Sequence, residues 1–265
     1  MNNVPRAMTI AGSDSGAGAG IQADLKTFAA LGVYGTSVIT AITAQNTLEV
    51  TQVLELPTDL VAAQIDTVMS DIGTDAAKTG MLSSSRIIGV VAERIKALGI
   101  PNLVVDPVMV AKSGARLLQE EAVQSLRDEL LPLATVVTPN IPEAEVLVGY
   151  RLESMEDVYK AAREMAKMGA ANVVIKGGHR PGPVTDVLYS EGIVREFTSP
   201  RVESENTHGT GCTFASAVAA YLALGREVEQ AVYHAKEYVT EAIRAAFPIG
   251  KGHGPVHHFY RFWEG

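Results

Sequence analysis

Cys212 is the only cysteine among 265 residues, so no disulfide can form within the chain. No apolar run reaches the length needed to cross a bilayer, and the opening MNNVPRAMTIAGSDSG holds too short an apolar stretch for a secretory leader. A soluble, cytoplasmic protein is expected. Positive charge is not in excess: 22 Lys and Arg against 30 Asp and Glu leave a net charge of −8. That balance argues against nucleic acid or an anionic membrane as the general partner and leaves a small molecule. Linkers, low-complexity tracts and internal repeats are also absent. Neither nucleotide fingerprint occurs, because GAGAG at 16–20 does not fit G-x-G-x-x-G and no G-x-x-x-x-G-K-[ST] is found. His253, His257 and His258 lack the helical i, i+4 spacing of a zinc hydrolase, so a fluid tail is expected there and no zinc site.

What is present is apolar and periodic. With 47% hydrophobic and 20% charged residues the chain can bury a sizeable core. Short β-rich runs alternate with helical patterns: AMTIAG before IQADLKTFAALG, TSVITAI and TQVLEL before TDLVAAQIDTVMSDI, AAKTG before SSRIIGVVAERIKALG, and NLVVD before EAVQSLRDELL. ATVVT before IPEAEVLVG and NVVIK before a β-rich excursion continue the series. Such alternation predicts an α/β fold, one domain over 1–265, with a mostly parallel sheet covered by helices on both faces. Ser154 and Asp157 fit a capping box, Pro142 suits a first helical turn, and Gly99, Gly149, Gly169 and Gly225 follow helical runs. Residues 184–198 read as a hairpin turning near Glu191-Gly192, and helices over 211–224 and 227–245 close the chain.

In open parallel sheets ligands sit beyond the carboxyl ends of the strands. AGSDSGAGAG (11–20), TAQN (43–46), KTGM (78–81), DPVMVAKSG (106–114), TPNIPEAE (138–145) and KGGH (176–179) all follow predicted strands, and they converge there with GTGC (209–212). Gly209, Thr210 and Gly211 open a helix, where free N–H groups and the helix dipole suit an anion such as a phosphoryl group. Cys212 follows them. A helix N-terminus lowers a thiol toward neutrality, which would suit a proton acceptor, whereas a buried inert thiol is the alternative. Asn140 and Glu143, at i and i+3, can cap their helix, orient Mg²⁺ directly or through its waters, or do both. Asp106 ends an apolar strand and can serve the metal or Lys176, or be a turn residue. Lys176, before two glycines, can reach phosphate, and Lys112 can act as a flap cation or be a plain loop lysine. Asp14 can bond substrate or only its own turn; Asp24, just inside a helix, reads as structural. Met81 and Val108 read first as core residues.

GTGC opening a late helix, TPNIPEAE, VVIKGGH and DPVMVAKSG together resemble the ribokinase-like superfamily. TIAGSDSGAGAGIQADLKTFAALGVYGTSVITAITAQNT resembles the hydroxymethylpyrimidine and hydroxymethylpyrimidine phosphate kinases of thiamin biosynthesis, and the likeness runs from Thr9 to about Pro248. The resemblance implies a three-layer sandwich, ATP as co-substrate with Mg²⁺, and a homodimer. It implies transfer of the ATP γ-phosphate to 4-amino-5-hydroxymethyl-2-methylpyrimidine, then a second transfer onto the monophosphate. Gly12, Asp14, Gln45, Met81 and Val108 would then line the acceptor side. Gln45 would read the aminopyrimidine edge, since one amide carries a donor and an acceptor, and Met81 with Val108 would sandwich the ring. Asp106, Asn140, Glu143 and Lys112 would serve ATP and metal, with Lys176 and the GTGC residues at the transfer. Other readings are a cysteine-type pyridoxal kinase, a catalytically silent sensor on the same fold, and a cysteine hydrolase using Cys212 and His208.

Overall fold

The computed structural model describes residues 4–110, 114, 117–119 and 121–263. Lys112 lies outside them. The elements are β1 (Arg6–Asp14), α1 (Gly20–Ala30), β2 (Tyr34–Gln45), β3 (Val50–Glu55), α2 (Thr58–Asp71), β4 (Ala76–Thr79), α3 (Ser85–Leu98), β5 (Leu103–Val105), α4 (Ala122–Ser125), β6 (Val136–Val137), α5 (Ile141–Val148), α6 (Met155–Lys167), β7 (Asn172–Ile175), β8 (Val184–Ser190), β9 (Ile193–Ser199), α7 (Thr210–Ala223) and α8 (Val228–Arg244). Among the described residues nine strands form one sheet in the order β3-β2-β1-β4-β5-β6-β7-β8-β9. The run from β2 to β7 is parallel, and β3, β8 and β9 join antiparallel.

The side-chain period of two along each strand sorts the core into two clusters. Met8, Ile10, Leu103, Val105, Val137, Val173 and Ile175 pack with α2 to α6 on one face. Ala7, Ala76, Val104, Val136 and Val174 pack with α1, α7 and α8 on the other. The result is the expected three-layer sandwich. Strand order reverses between β1 and β4, which is where such a sheet opens a crevice at its carboxyl edge.

Several local expectations hold. Asn140 with Glu143, and Ser154 with Asp157, each form a full capping box. Gly99 and Gly149 close their helices in the left-handed conformation. Glu191 and Gly192 take positive φ at the hairpin turn between β8 and β9.

Others do not hold. TAQN and the start of AGSDSGAGAG, read as loops, belong largely to strands. β1 runs on to Asp14 past a bulge, and β2 to Gln45, because Asp14 pairs with Thr43 and Gln45 with Val50. The helix read from EAVQSLRDELL breaks into α4, a π turn over Leu126–Leu130 and a 3-10 turn over Leu131–Leu133. Pro132 lacks an N–H and its ring crowds the preceding turn, so regular α geometry cannot continue through it. The C-terminal stretch is not a fluid tail: Val256, His257 and His258 are buried, and Tyr238 donates its hydroxyl to the His258 carbonyl at 2.6 Å.

Candidate active site

The turn into α7 is built by close backbone approach. Gly209 caps the helix at φ 77°, and any Cβ on it would collide with the Gly18 carbonyl. The 14–20 loop and the GTGC turn are thereby locked together. Only glycine meets both the positive φ and the lack of space.

Against the same turn lie a cation and its counter-ion. Lys176 Nζ donates to Asp106 Oδ1 at 2.9 Å, and Thr138 Oγ1 reaches the same oxygen at 3.3 Å. A Cβ on Gly211 would stand 3.4 Å from Lys176 Nζ and 3.9 Å from Asp106 Oδ2. The anion loop, the lysine after β7 and the aspartate after β5 therefore meet at one point, although they come from positions 106 to 211 of the chain. Burial would lower the Lys176 ammonium, but Asp106 and Glu143 outweigh it and raise it.

Glu143 is buried, and burial pushes its carboxyl up to about 7. Lys176 pulls the other way, and Asp106 adds to the rise. Its Oε2 accepts the Asn140 amide at 2.8 Å, while Asn140 Oδ1 accepts the Glu143 amide at 2.9 Å. Both side chains are thus engaged in capping α5. Among the described residues no group of three or more His, Cys, Asp or Glu is placed to hold a metal ion.

The predicted acceptor-side residues form two small groups. A Cβ on Gly12 would collide with the Met81 side chain, so Met81 lies directly over Gly12. Asp14 accepts amides of Gly16, Gly18 and Ala19, and its Oδ2 stands 3.0 Å from His208 Nε2. Burial would raise the Asp14 carboxyl, but the His208 bond and these amides lower it. Asp14 therefore bonds its own turn, one of the two roles left open for it. Gln45 receives the Thr43 hydroxyl at 3.1 Å on Oε1, and its Nε2 lies 3.4 Å from His208 Nε2. Val108 belongs with Asp106, to whose carbonyl its amide donates at 2.8 Å.

Cys212 is half-buried, one residue beyond Gly211. Its thiol departs from the sequence expectation in direction: burial pushes it up to about 11. Lys78 and the Gly20 amide favour the thiolate, but Asp24 and Asp106 add to the rise. A helix N-terminus acts on a thiol in a polar setting; here the sulfur sits among packed α1 and α7, and desolvation dominates.

Sequence reasoning passed over Lys78 and His208. Lys78 fell within the predicted strand AAKTG but was given no role; it is wholly buried in β4, paired with Asp24 at 2.9 Å. A lysine inside the small apolar run AAKT, opposite an aspartate on the apolar face of α1, was the available signal. His208 was weighed only as a nucleophile's partner; it faces Asp14 and Gln45, not Cys212, in every side-chain bond the structure gives it. His258 is pushed down to about 3 by burial and bonds Thr213.

A sheet that opens at its switch point onto a helix-borne anion loop, a buried lysine and carboxylates defines a ribokinase-like phosphotransferase scaffold. The match to the phosphomethylpyrimidine kinase family model covers residues 14–257, and the chain belongs to that family. It is 48% identical over 259 residues to the hydroxymethylpyrimidine/phosphomethylpyrimidine kinase of Bacillus subtilis, spanning 97% of this chain and 96% of that one. It is 53% identical over 252 residues to the thiamine biosynthesis bifunctional protein ThiED of Geobacter sulfurreducens, covering 95% of this chain but 51% of that protein. The pyridoxal kinase of Staphylococcus aureus in complex with AMP-PCP and pyridoxal superposes with a TM-score of 0.90 at 40% identity, covering 98% of this chain and 96% of that one.

Proposed function

We propose that this chain, acting as one kinase domain over 1–265, transfers the ATP γ-phosphate to the hydroxyl of 4-amino-5-hydroxymethyl-2-methylpyrimidine and then to the resulting monophosphate. The observation that carries this reading is the meeting of Lys176 and Asp106 with the Gly209–Gly211 turn at the carboxyl edge of the sheet. Phosphoryl transfer needs little covalent chemistry from the protein; it needs charge placed around the moving group. The free amides at the start of α7 and the Lys176 ammonium supply it.

In this reading the acceptor oxygen bonds to the γ-phosphorus as the bond to ADP breaks, and the hydroxyl proton passes to Cys212 Sγ. The thiolate is the minor form near neutrality, given a thiol held near 11, but it is the stronger base when formed. Asp106 aims Lys176. Glu143 and Asn140, whose Oε2 and Oδ1 cap α5, would orient a magnesium ion directly or through its retained waters. Mg²⁺ would neutralise the phosphates of bound ATP. Gln45, with Gly12 and Met81, faces the pyrimidine, with Val108 on the Asp106 side.

AMP-PCP in the S. aureus kinase supports ATP as co-substrate, and the pyridoxal beside it keeps pyridoxal as the competing acceptor. The assembly expected is a homodimer, which sedimentation would test. Among the described residues no helix is long and apolar enough to cross a membrane; a cytoplasmic location is part of this proposal. Incubation with Mg·ATP and each acceptor, with products read by mass, tests the reading: mono- and diphosphate of the pyrimidine are expected. A higher kcat/KM for pyridoxal would replace it with the pyridoxal kinase reading.

A further inference from the structure

β4, Ala76–Thr79, carries a single charged residue. Lys78 is wholly buried and shares the strand face of Ala76, which packs with α1, α7 and α8. Its Nζ donates to both oxygens of Asp24, at 3.0 and 2.9 Å. Asp24 also accepts the hydroxyls of Thr9 and Ser216, each at 2.6 Å. The carboxylate is thus saturated, while an ammonium has three donors and Lys78 uses two of them on Asp24. Gly80 leaves the space for that ammonium, since a Cβ there would stand 2.8 Å from Nζ.

Two helices bring this pair beneath the GTGC turn. Ser216 lies one turn beyond Cys212 on α7, and Asp24 one turn beyond Gly20 on α1. The Ser216 hydroxyl bonds Asp24 across the two helices. The helices therefore meet through Asp24 and Ser216 one turn beyond Gly20 and Cys212, and Lys78 joins that contact from the sheet.

We propose that Lys78 is a positioning residue for the transfer, its buried ammonium being held by Asp24 beneath Cys212 so that the thiolate can form there. The proposal rests on Cys212 as the proton acceptor of the proposed reaction. The charged groups facing the sulfur are Lys78 from β4, Asp24 from α1, Asp106 beyond β5 and Lys176 beyond β7. Among them Lys78 is the strongest influence favouring the thiolate, ahead of the opposing Asp24 and Asp106.

The test is the pH dependence of Cys212 alkylation by iodoacetamide, followed by mass on the full chain, in wild type and in Lys78→Met. The variant is expected to move the alkylation profile upward by about one pH unit, a loss of roughly ten-fold in rate at any fixed alkaline pH. kcat should follow the same shift while KM for Mg·ATP holds. A merely structural role gives the opposite sign, because a loosened site brings the thiol down toward its ordinary value and speeds alkylation. If Lys78→Met does not fold, the double variant Lys78→Met with Asp24→Leu replaces a buried ion pair by an apolar one, a change cores tolerate. It should shift the profile upward as well, by less. An unchanged or faster alkylation in the folded variants overturns the proposal. Because alkylation reads the thiol directly, the result stands apart from whether the pyrimidine is the acceptor.

Discussion

The lysine–carboxylate pairs Lys78–Asp24 and Lys176–Asp106 have the same chemistry and different surroundings. Lys78 and Asp24 have side chains with 0% exposure, whereas Lys176 and Asp106 retain 15% and 2%. Asp24 is saturated by two hydroxyls besides its lysine. Asp106 shares one oxygen between Lys176 and Thr138 and turns the other toward Gly211. The sealed pair sits within a strand and can act only through its field. The open pair sits at strand ends, where an arriving anion can take the lysine over. Position along the strand, more than residue type, separates an electrostatic support from a group able to touch substrate.

Removing Cys212, which both pairs flank, should have the largest effect. Cys212→Ala should lower kcat by about 10²–10⁴ with Mg·ATP binding intact, since this is the usual range for a lost proton acceptor. Near-normal turnover at full occupancy would reduce the cysteine to packing. Next, the two lysines should part company. Lys78→Met should cost about 3–5 kcal/mol of stability in urea unfolding because it strands Asp24. Lys176→Met should lose less stability yet lower kcat by about 10²–10³, the scale of one lost oxyanion donor. Equal stability losses would erase the distinction between the pairs.

A third prediction uses the titratable neighbour that the open pair has. Glu143 rises from 4.5 to about 7 on folding, so the native state holds its proton where the unfolded chain has released it. Stability should therefore fall as pH rises from about 4.5 to about 7, by at most about 3 kcal/mol. Glu143→Gln should flatten that slope in urea titrations at several pH values. It should also weaken turnover in a way that raised Mg²⁺ partly restores. A wild-type stability that instead rises across the window would mean that Lys176 keeps Glu143 ionised.

The smallest effect is expected on the acceptor side. Gln45→Leu removes an amide that can pair with the pyrimidine edge and should weaken acceptor binding by about 1–3 kcal/mol. Calorimetry should find ATP affinity unchanged. Equal damage to both ligands would move Gln45 off the acceptor side.

Much of the architecture was legible in periodicity and punctuation. Asn140 and Glu143 form the box their spacing announced, and Asp106 and Lys176, which follow β5 and β7, do meet the GTGC turn. Gly209 and Gly211 opened a helix as read. The end of β2 was not legible, because TAQN carries loop-like residues and becomes strand only through its partners β1 and β3. The fracture of α4 follows from Pro132, but its division into π and 3-10 turns depends on packing.

The sequence by itself determined the alternation of strands and helices, the capping of α5 and α6 and the anion-loop start of α7, because these rest on local spacing, φ preferences and side-chain hydrogen bonds within a few residues. It also carried the family likeness, since that is a property of residue order. Only the tertiary structure decided that Lys78 is buried against Asp24, that His208 faces Asp14, and that the Cys212 thiol is pushed up. Burial and the sum of charges around a group depend on residues brought from β1, β4, β5 and α1 at once, and no spacing along the chain encodes that sum.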